Sequence, residues 1–347
     1  MLDSLFFPNS VAVIGASKIA GKVGHTTLRN LLQAGFSGTI IPVNPEVDQL
    51  LGLAVEAKLS NYPDKVDLAL ITVPADKVMA AVQDAIQKRV GSVVVVASGF
   101  KESGSEGSKL ERELVEFCKK HGVSLLGPNC LGFVNTSIKL NASFAKRMPQ
   151  AGKLAIFSQS GALCTAMMDA ADQRKIGVSM AISIGNKADI TEVEILSVLA
   201  KDENTKVIAG YLEDISDGDQ FVKAAEEASK KKPIVILKAG ITAAGARSAA
   251  WHTGVKIGQD TAYGAAFKRA GICRADTFEA LFDYATALCL QPPPKGSRVF
   301  ILANSGGTGT IAADAVEKAG MEVPPLPEDL QAELARILPE SRSVHNP

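Results

Sequence analysis

Apolar residues fall in short, nearly continuous runs, separated by stretches with helical spacing. In the first half the runs are Val11–Gly15, Thr39–Val43, Asp67–Val73, Ser92–Ala97 and Val123–Leu126. Between them lie Thr26–Ala34, Asp76–Arg89 and Glu106–His121. In Asp76–Arg89, Val78, Val82 and Ile86 share one stripe. Strands that are apolar on both faces are covered by helices on both faces, so the pattern predicts a parallel, doubly wound sheet. A break follows at about 137–152, marked by Met148-Pro149 and Gly152.

The alternation then restarts. Lys153–Phe157, Val178–Ile184, Lys206–Leu212 and Pro233–Leu237 read as strands. Ala162–Arg174, Thr191–Ala200, Gln220–Lys231, Ala262–Ala270 and Thr277–Leu290 read as helices. This is a second α/β domain of flavodoxin-like type. Gln291–Ser297 is a proline-rich linker. Beyond it Arg298–Ala303 reads as a strand, Asn304–Gly309 as a glycine-rich turn and Thr310–Ala319 as a helix. These few elements cannot bury their own apolar faces, so the chain is expected to break off inside a third domain or to need a partner.

Composition narrows the function. Of 347 residues, 46% are hydrophobic and 5% aromatic, so Ala, Val, Ile and Leu carry the core, as helices packed on parallel sheets require. Lys+Arg and Asp+Glu both number 37, and no basic excess points to nucleic acid or an anionic membrane. Five cysteines without a C-x-x-C pair are expected to be free thiols. No H-x-x-x-H or paired carboxylates mark a metal site. The N-terminus lacks a basic segment before a long apolar core, so it is not read as a signal peptide. The longest strongly apolar runs, such as Val93–Ala97, are strand-length. A cytoplasmic protein is expected.

Four places could carry chemistry. The first is Gly15–Gly24, which joins a strand to a helix and contains Ser17, Lys22 and Val23. Such a loop aims backbone N–H groups at a phosphate. The dinucleotide fingerprint is absent, and the second strand ends in Asn44 rather than an acid, which disfavours NAD. No Walker A pattern is present either. A phosphate-bearing nucleotide held by cations fits better, and a tight turn without ligand is the plain alternative. The second is Ser158-Gln159-Ser160-Gly161, at a strand-to-helix junction, which suits a phosphate or carboxylate, or is an ordinary serine cap.

The third is Glu213, at the end of an apolar strand, where a doubly wound fold lines its ligand crevice. There it could accept from an imidazole and fix its tautomer, or stand as a surface carboxylate. The fourth is Gly245-Ala-Arg-Ser-Ala-Ala-Trp-His-Thr-Gly254, which reads as a loop of small residues presenting His252. Histidine can act as a nucleophile towards phosphorus, although a loop histidine can equally be solvated. His25 lies near the first loop, while His121 ends a helix as cationic residues commonly do.

Taken in order, these motifs resemble the alpha-subunit type of NDP-forming acyl-CoA synthetases, themselves similar to succinyl-CoA synthetase. The resemblance runs through Leu5-Phe6-Phe7-Pro8, Val13-Ile14-Gly15-Ala16-Ser17 and Pro42-Val43-Asn44-Pro45. It continues through Gly127-Pro128-Asn129-Cys130-Leu131-Gly132, Ser158–Ala162, Gly185-Asn186-Lys187-Ala188-Asp189, Tyr211-Leu212-Glu213 and His252-Thr253-Gly254.

The resemblance implies a Rossmann-like CoA-binding domain over 1–137 and a flavodoxin-like domain carrying the phosphohistidine loop over 150–290. The start of a third flavodoxin-like domain would lie at 298–347. Gly15, Ser17, Lys22, Val23, Asn44, Val73, Pro74, Ser98 and Asn129 would hold coenzyme A. Asn129, Ser158, Ser160 and Gly161 would lie by the thioester and phosphate. His252 would be phosphorylated, and Glu213 would orient it.

The implied reaction converts acyl-CoA, phosphate and ADP or GDP to acid, CoA and ATP or GTP, by way of an acyl phosphate and phosphohistidine. Mg-nucleotide would sit on an ATP-grasp domain, supplied by a β-subunit or a C-terminal extension. An oligomer is expected. A non-catalytic CoA-binding regulatory module is the alternative. Trp251 stands where the family has a small residue, usually Ser, and Val255-Lys256 where it has Ala and Leu.

Overall fold

A computed structural model describes residues 2–253, 260–338 and 343–346; the side chains of 250–253 lie outside that description. The chain divides into one compact unit up to Leu290 and a second from Gln291 onward.

The first unit opens with α1 (Asp3–Phe6), β1 (Ser10–Ile14), α2 (Val23–Ala34), β2 (Thr39–Val43) and the short hairpin β3 (Gln49–Leu50) and β4 (Leu53–Ala54). It continues with β5 (Leu68–Ile71), α3 (Ala75–Gln87), β6 (Ser92–Val95), α4 (Ser105–Lys120) and β7 (Ser124–Leu126). The five main strands make a parallel sheet in the order β2-β1-β5-β6-β7. Every residue of β1, β5 and β6 is buried, as expected of a sheet covered on both faces. The chain winds from β1 to β2 on one side, then crosses to β5 on the other. The strand order therefore reverses beside β1, where an open α/β sheet forms its ligand crevice.

Next come β8 (Gly132–Asn135), β9 (Leu140–Ser143), β10 (Ala151–Ser158), α5 (Gly161–Gln173), β11 (Val178–Ser183), α6 (Glu192–Leu199) and β12 (Val207–Leu212). They are followed by α7 (Gly218–Ser229), β13 (Ile234–Lys238), α8 (Ala243–Thr253), α9 (Asp260–Arg269), β14 (Cys273–Ala275) and α10 (Phe278–Leu290). The second sheet runs β14-β13-β12-β10-β11-β8-β9. Its β10–β14 part is parallel, and its order reverses between β10 and β12.

The pattern of apolar runs placed no strands at 132–143. The structure forms an antiparallel hairpin there and pairs it with β11, so the expected break at 137–152 begins inside the sheet, with β9 at Leu140–Ser143. Polar side chains wedge the hairpin in place. Asn135 Nδ2 donates to the Phe6 carbonyl at 2.9 Å, and Asn30 Nδ2, from α2, donates to Ser143 O and Ala145 O. The Phe6 and Phe133 rings meet edge to face at 5.3 Å. One apolar cluster runs from Val11 and Leu70 in the first sheet through Phe133 to Phe157 and Ile236 in the second.

The second unit carries α11 (Gly306–Lys318) and α12 (Glu328–Ile337). The expected strand Arg298–Ala303 is not formed. Only an isolated bridge, Arg298 to Glu322, is present. Instead of a neighbouring strand, the Asn346 side chain serves this segment, accepting from Ile301 N at 2.8 Å and donating to Val299 O at 2.9 Å. Apolar runs become strands when another strand pairs with them, and among the described residues none does so here.

Candidate functional site

A cleft of about 890 Å³ opens over the ends of β1, β2 and β5, at the reversal point of the first sheet. Gly15, Ser17, Lys22, Val23, Asn44, Val73 and Pro74 all line it. The loop that builds it needs glycine twice. Gly15 has φ +91°, and a Cβ on Gly24 would lie 2.1 Å from the Gly15 carbonyl oxygen. Backbone thus packs on backbone, and the start of α2 comes down to the cleft floor. No side chain caps α2, so its first N–H groups face a site that also gathers Lys18, Lys22, Lys58 and Lys77. An extended polyphosphate suits that combination.

Asn44 does its work inside the loop. Its Nδ2 donates to Ala16 O at 2.7 Å and its Oδ1 accepts from Glu46 N at 2.8 Å. Ser17 Oγ accepts from Ile19 N, and the Ser17 carbonyl meets His25 Nδ1 at 3.0 Å. His121 closes α4, with Nδ1 2.8 Å from Phe117 O.

A second cleft, of about 550 Å³, adjoins the first. Val23 and Thr72 line both. Ser98, Asn129, Ser160 and Gly161 meet in it, from two separate loops and the start of α5, together with Cys130, Leu131, Phe144, Gln159 and Thr165. Ser160 caps α5, accepting from Leu163 N at 3.3 Å, so the first turn of α5 forms part of the wall. Ser158 is not on that wall. It is fully buried, and its hydroxyl donates to Ser160 O at 2.7 Å, which braces the turn.

Asn129 takes φ +56° after a cis Gly127–Pro128 bond. Its amide donates to Asn186 Oδ1 at 3.2 Å. The Asn186 amide in turn donates to Glu102 at 2.6 Å and to Glu111 at 2.7 Å. Two carboxylates thus fix which way Asn186 points, and Asn186 fixes Asn129. Burial pushes the Glu102 carboxyl up, but hydrogen bonds from Asn186 and from Gly99 and Phe100 amides outweigh it and hold it below its ordinary range.

Glu213 follows β12 at the reversal point of the second sheet and is buried. Tyr211 Oη donates to its carboxylate at 3.3 Å. Three neighbours were not singled out as site residues by sequence reasoning. Gln159 accepts from the Glu213 and Asp214 amides, and its own amide donates to the Asp214 carboxylate. Lys187 lies 3.3 Å from Asp214 and 3.1 Å from Glu192. Lys238 donates to the Glu213 carbonyl at 2.7 Å. The one available signal was position: Gln159 and Lys187 lie inside motifs that carry the family resemblance, and Lys238 directly follows an apolar run.

The segment 245–254 was expected to be a loop. The backbone of Ala243–Thr253 is helical instead. Ala243, Ala244, Ala246 and Ala249 favour a helix, and Thr242 caps it, accepting from Gly245 N at 3.1 Å. The His252 side chain, and with it the expected contact to Glu213, lies outside the described residues, as do Trp251's side chain and Val255-Lys256. A further cleft of about 750 Å³ beside α1 and α6 is lined by none of the expected site residues.

Residues 9–136 match a CoA binding domain model, and residues 151–288 match a succinyl-CoA ligase like flavodoxin domain model. The chain is 43% identical over 350 residues to the Pyrococcus furiosus acetate–CoA ligase (ADP-forming) I subunit alpha, covering all of this chain and 76% of that protein. The chain belongs to the family of ADP-forming CoA ligase alpha subunits. It is also 43% identical over 346 residues to the Archaeoglobus fulgidus acetate–CoA ligase (ADP-forming) I, covering all of this chain and 50% of that protein. The chain thus spans about half the length of several curated relatives it matches.

Its fold superimposes on a solved dinucleotide-forming acetyl-coenzyme A synthetase 1 of Ca. Korarchaeum cryptofilum in complex with phosphate and ADP. The TM-score is 0.96 at 42% identity, covering all of this chain and 75% of that one. Among the described residues no helix of this CoA ligase alpha-type chain is long and apolar enough to cross a membrane.

Proposed function

We propose that this chain is the CoA-binding, phosphohistidine-carrying part of an NDP-forming acyl-CoA synthetase. With an ATP-grasp subunit or domain that holds Mg-nucleotide, it interconverts acyl-CoA, phosphate and ADP or GDP with acid, CoA and ATP or GTP. These are substrates of cytoplasmic metabolism, and the chain belongs there on this reading. The observation that carries it is the joined pair of clefts. A cation-rich cleft over an uncapped helix start meets an uncharged cleft that ends on a second helix start, across the shared wall of Val23 and Thr72.

The clefts divide the substrate. The nucleotide portion of coenzyme A would lie along Gly15–Gly24 and Asn44, with its phosphates toward Lys18, Lys22 and the first amides of α2. The thioester would pass Val23 and Thr72 into the second cleft, beside Ser98 and Asn129. Inorganic phosphate would sit at the start of α5, where Gly161 and the helix dipole favour negative charge. A phosphate oxygen attacks the thioester carbon, the C–S bond breaks and CoA leaves as the thiol after taking a proton.

A His252 ring nitrogen then attacks phosphorus. The bond from phosphorus to the acyl oxygen breaks and the carboxylate departs. Glu213 accepts the hydrogen bond of the other ring nitrogen and so keeps the attacking one unprotonated. The phosphoryl group finally passes to the terminal oxygen of the nucleoside diphosphate on the partner, and His252 is regenerated. Two remote sites require a carrier, which is the role of His252.

The test is phosphorylation in reverse. The chain, its nucleotide-binding partner, magnesium and γ-labelled ATP should give an acid-labile, alkali-stable label on the wild type and none on His252→Ala. Full turnover by His252→Ala would instead mean that this chain is a CoA-binding regulatory module.

A further inference from the structure

Side chains grip the Glu213 peptide from both flanks. The backbone ladder between β10 and β12 ends at Ser158 and Tyr211, and that between β12 and β13 ends at Leu212 and Lys238. At the next step side chains take over. From the β10 side Gln159 Oε1 accepts the Glu213 N–H at 2.8 Å and the Asp214 N–H at 3.2 Å. From the β13 side Lys238 Nζ donates to the Glu213 carbonyl at 2.7 Å, and also to the Ala239 carbonyl.

Both gripping groups are buried. Gln159 is 8% exposed and Lys238 2%. Burying a polar amide and an ammonium is costly unless each is fully engaged. Here Gln159 is engaged at both ends, because its Nε2 donates to Asp214, which Lys187 anchors. Lys238 is covered by Tyr263 of α9, its Nζ 4.2 Å from the ring centroid.

We propose that Gln159 and Lys238 are positioning residues for phosphoryl transfer, fixing the strand end that carries the Glu213 carboxylate. The inference rests on the phosphohistidine reading above. A pure scaffold would need such bonds anywhere along a sheet; these two converge on the one residue that orients the nucleophile. They also tie it to the wall of the acyl cleft, which Gln159 lines. A displacement of about 1 Å at such a residue is enough to cost on the order of 100-fold in rate.

Lys238 adds a signature that a scaffold would lack. Burial pushes its ammonium down to about 8, against the pull of Asp214, Asp260 and Glu213 and with the push of Arg274. The grip therefore weakens as pH rises through that value. Arginine keeps its charge there.

The experiment measures the rate of phosphohistidine formation in the full chain with its partner, by rapid quench with γ-labelled ATP, and CoA affinity by calorimetry. Gln159→Met and Lys238→Met should slow labelling on the order of 10–100-fold with CoA affinity unchanged. Wild type should slow above pH 8, and Lys238→Arg should recover most of the rate at neutral pH and lose that alkaline limb. Labelling at the wild-type rate in both methionine variants would overturn the proposal. So would parallel loss of CoA affinity and labelling. If the methionine variants fail to fold, an alkaline limb in Lys238→Arg identical to that of wild type overturns it alone. Absence of label on wild type would sink the phosphohistidine reading instead, so the two failures are separable.

Discussion

Lys187 and Asp214 form an ion pair at 3.3 Å in which neither side chain is more than 3% exposed. Glu192 closes on the same ammonium at 3.1 Å, so one buried cation separates two buried carboxylates. The arrangement braces the turn 185–189 against the end of β12, and so links the Asn129 side of the second cleft to the Glu213 side. Removing the cation leaves two uncompensated charges, and breaking a buried pair costs about 3–5 kcal/mol. Lys187→Met is expected to lose that much in urea denaturation. A loss below about 1 kcal/mol, the range of exposed pairs, would show that the pair carries little.

Acid should act through the same pair. Burial pushes the Asp214 carboxyl up, but Lys187, with hydrogen bonds from Gln159 and Lys187, outweighs burial and sets it below its ordinary value. Glu102 is lowered as well. A carboxyl lowered on folding contributes stability above its unfolded value, and that contribution fades as pH falls through the folded one. Melting temperature should therefore hold through neutral and mildly acidic pH and drop only below the ordinary carboxylate range. In Lys187→Met the cation that holds Asp214 down is gone and burial raises the carboxyl instead, so protonation relieves the buried charge and the gap to wild type should narrow as pH falls through the carboxylate range. Identical acid limbs in the two proteins would contradict this assignment.

Gly24→Ala tests the first cleft. The added methyl meets the Gly15 carbonyl at 2.1 Å, so the loop must move off the start of α2. Overpacking of this kind costs about 1–3 kcal/mol. Coenzyme A should raise the melting temperature of the wild-type chain, by mass action on the folded state, and do so much less for the variant. An undiminished shift would place the nucleotide elsewhere.

Thiol reactivity should sort by burial. Cys130 and Cys164 are pushed up to about 12 by burial, Cys118 likewise with Asp189 adding to it, whereas Cys273 is exposed. The thiolate is the reactive form. Iodoacetamide at pH 8 should modify Cys273 first and leave the three buried thiols intact until the chain unfolds, as mass spectrometry of peptides would show. Early alkylation of Cys130 would mean that the acyl cleft opens in solution.

If the second cleft takes the acyl group, as proposed, it should reject a second carboxylate. Its described lining holds no Lys, Arg, Asp or Glu, only apolar side chains, hydroxyls, a thiol and amides. With the α5 start taken by phosphate, a distal carboxylate elsewhere in the cleft would be buried unpaired, which is strongly unfavourable. Turnover of the reconstituted enzyme should favour short monocarboxylic acyl-CoA over succinyl-CoA by on the order of 100-fold or more in kcat/KM, as expected when a buried charge goes unpaired. Equal kcat/KM would show that a cation from outside the described residues reaches the cleft.

Much of this was legible in the chain because doubly wound sheets gather their strand ends. Gly15, Asn44 and Val73 are far apart in sequence; the family resemblance implied that they share one site, and the apolar runs that end at or just before each agree with the single cleft they line. The hairpin at 132–143 was not legible, because Asn135, Thr136, Asn141 and Ser143 make it look like surface loop. Their side chains are buried on backbone partners such as Phe6 O and Val178 O, which only the folded chain supplies. The helix at Ala243–Thr253 was obscured by reading Gly245 as loop punctuation when its amide serves the Thr242 cap. Gln159 and Lys238 act on partners 54 and 25 positions away, and nothing local announces such a pairing.

The hairpin also governs how this molecule can be taken apart. The matched CoA binding domain stops at residue 136, between β8, which ends at Asn135, and β9, which begins at Leu140. A chimera spliced at that border would take β8 from one parent and β9 from the other, leaving an edge of the second sheet with mismatched halves. Exchange of the first domain between relatives should therefore cross over after Ser143, which keeps β8 and β9 from one parent.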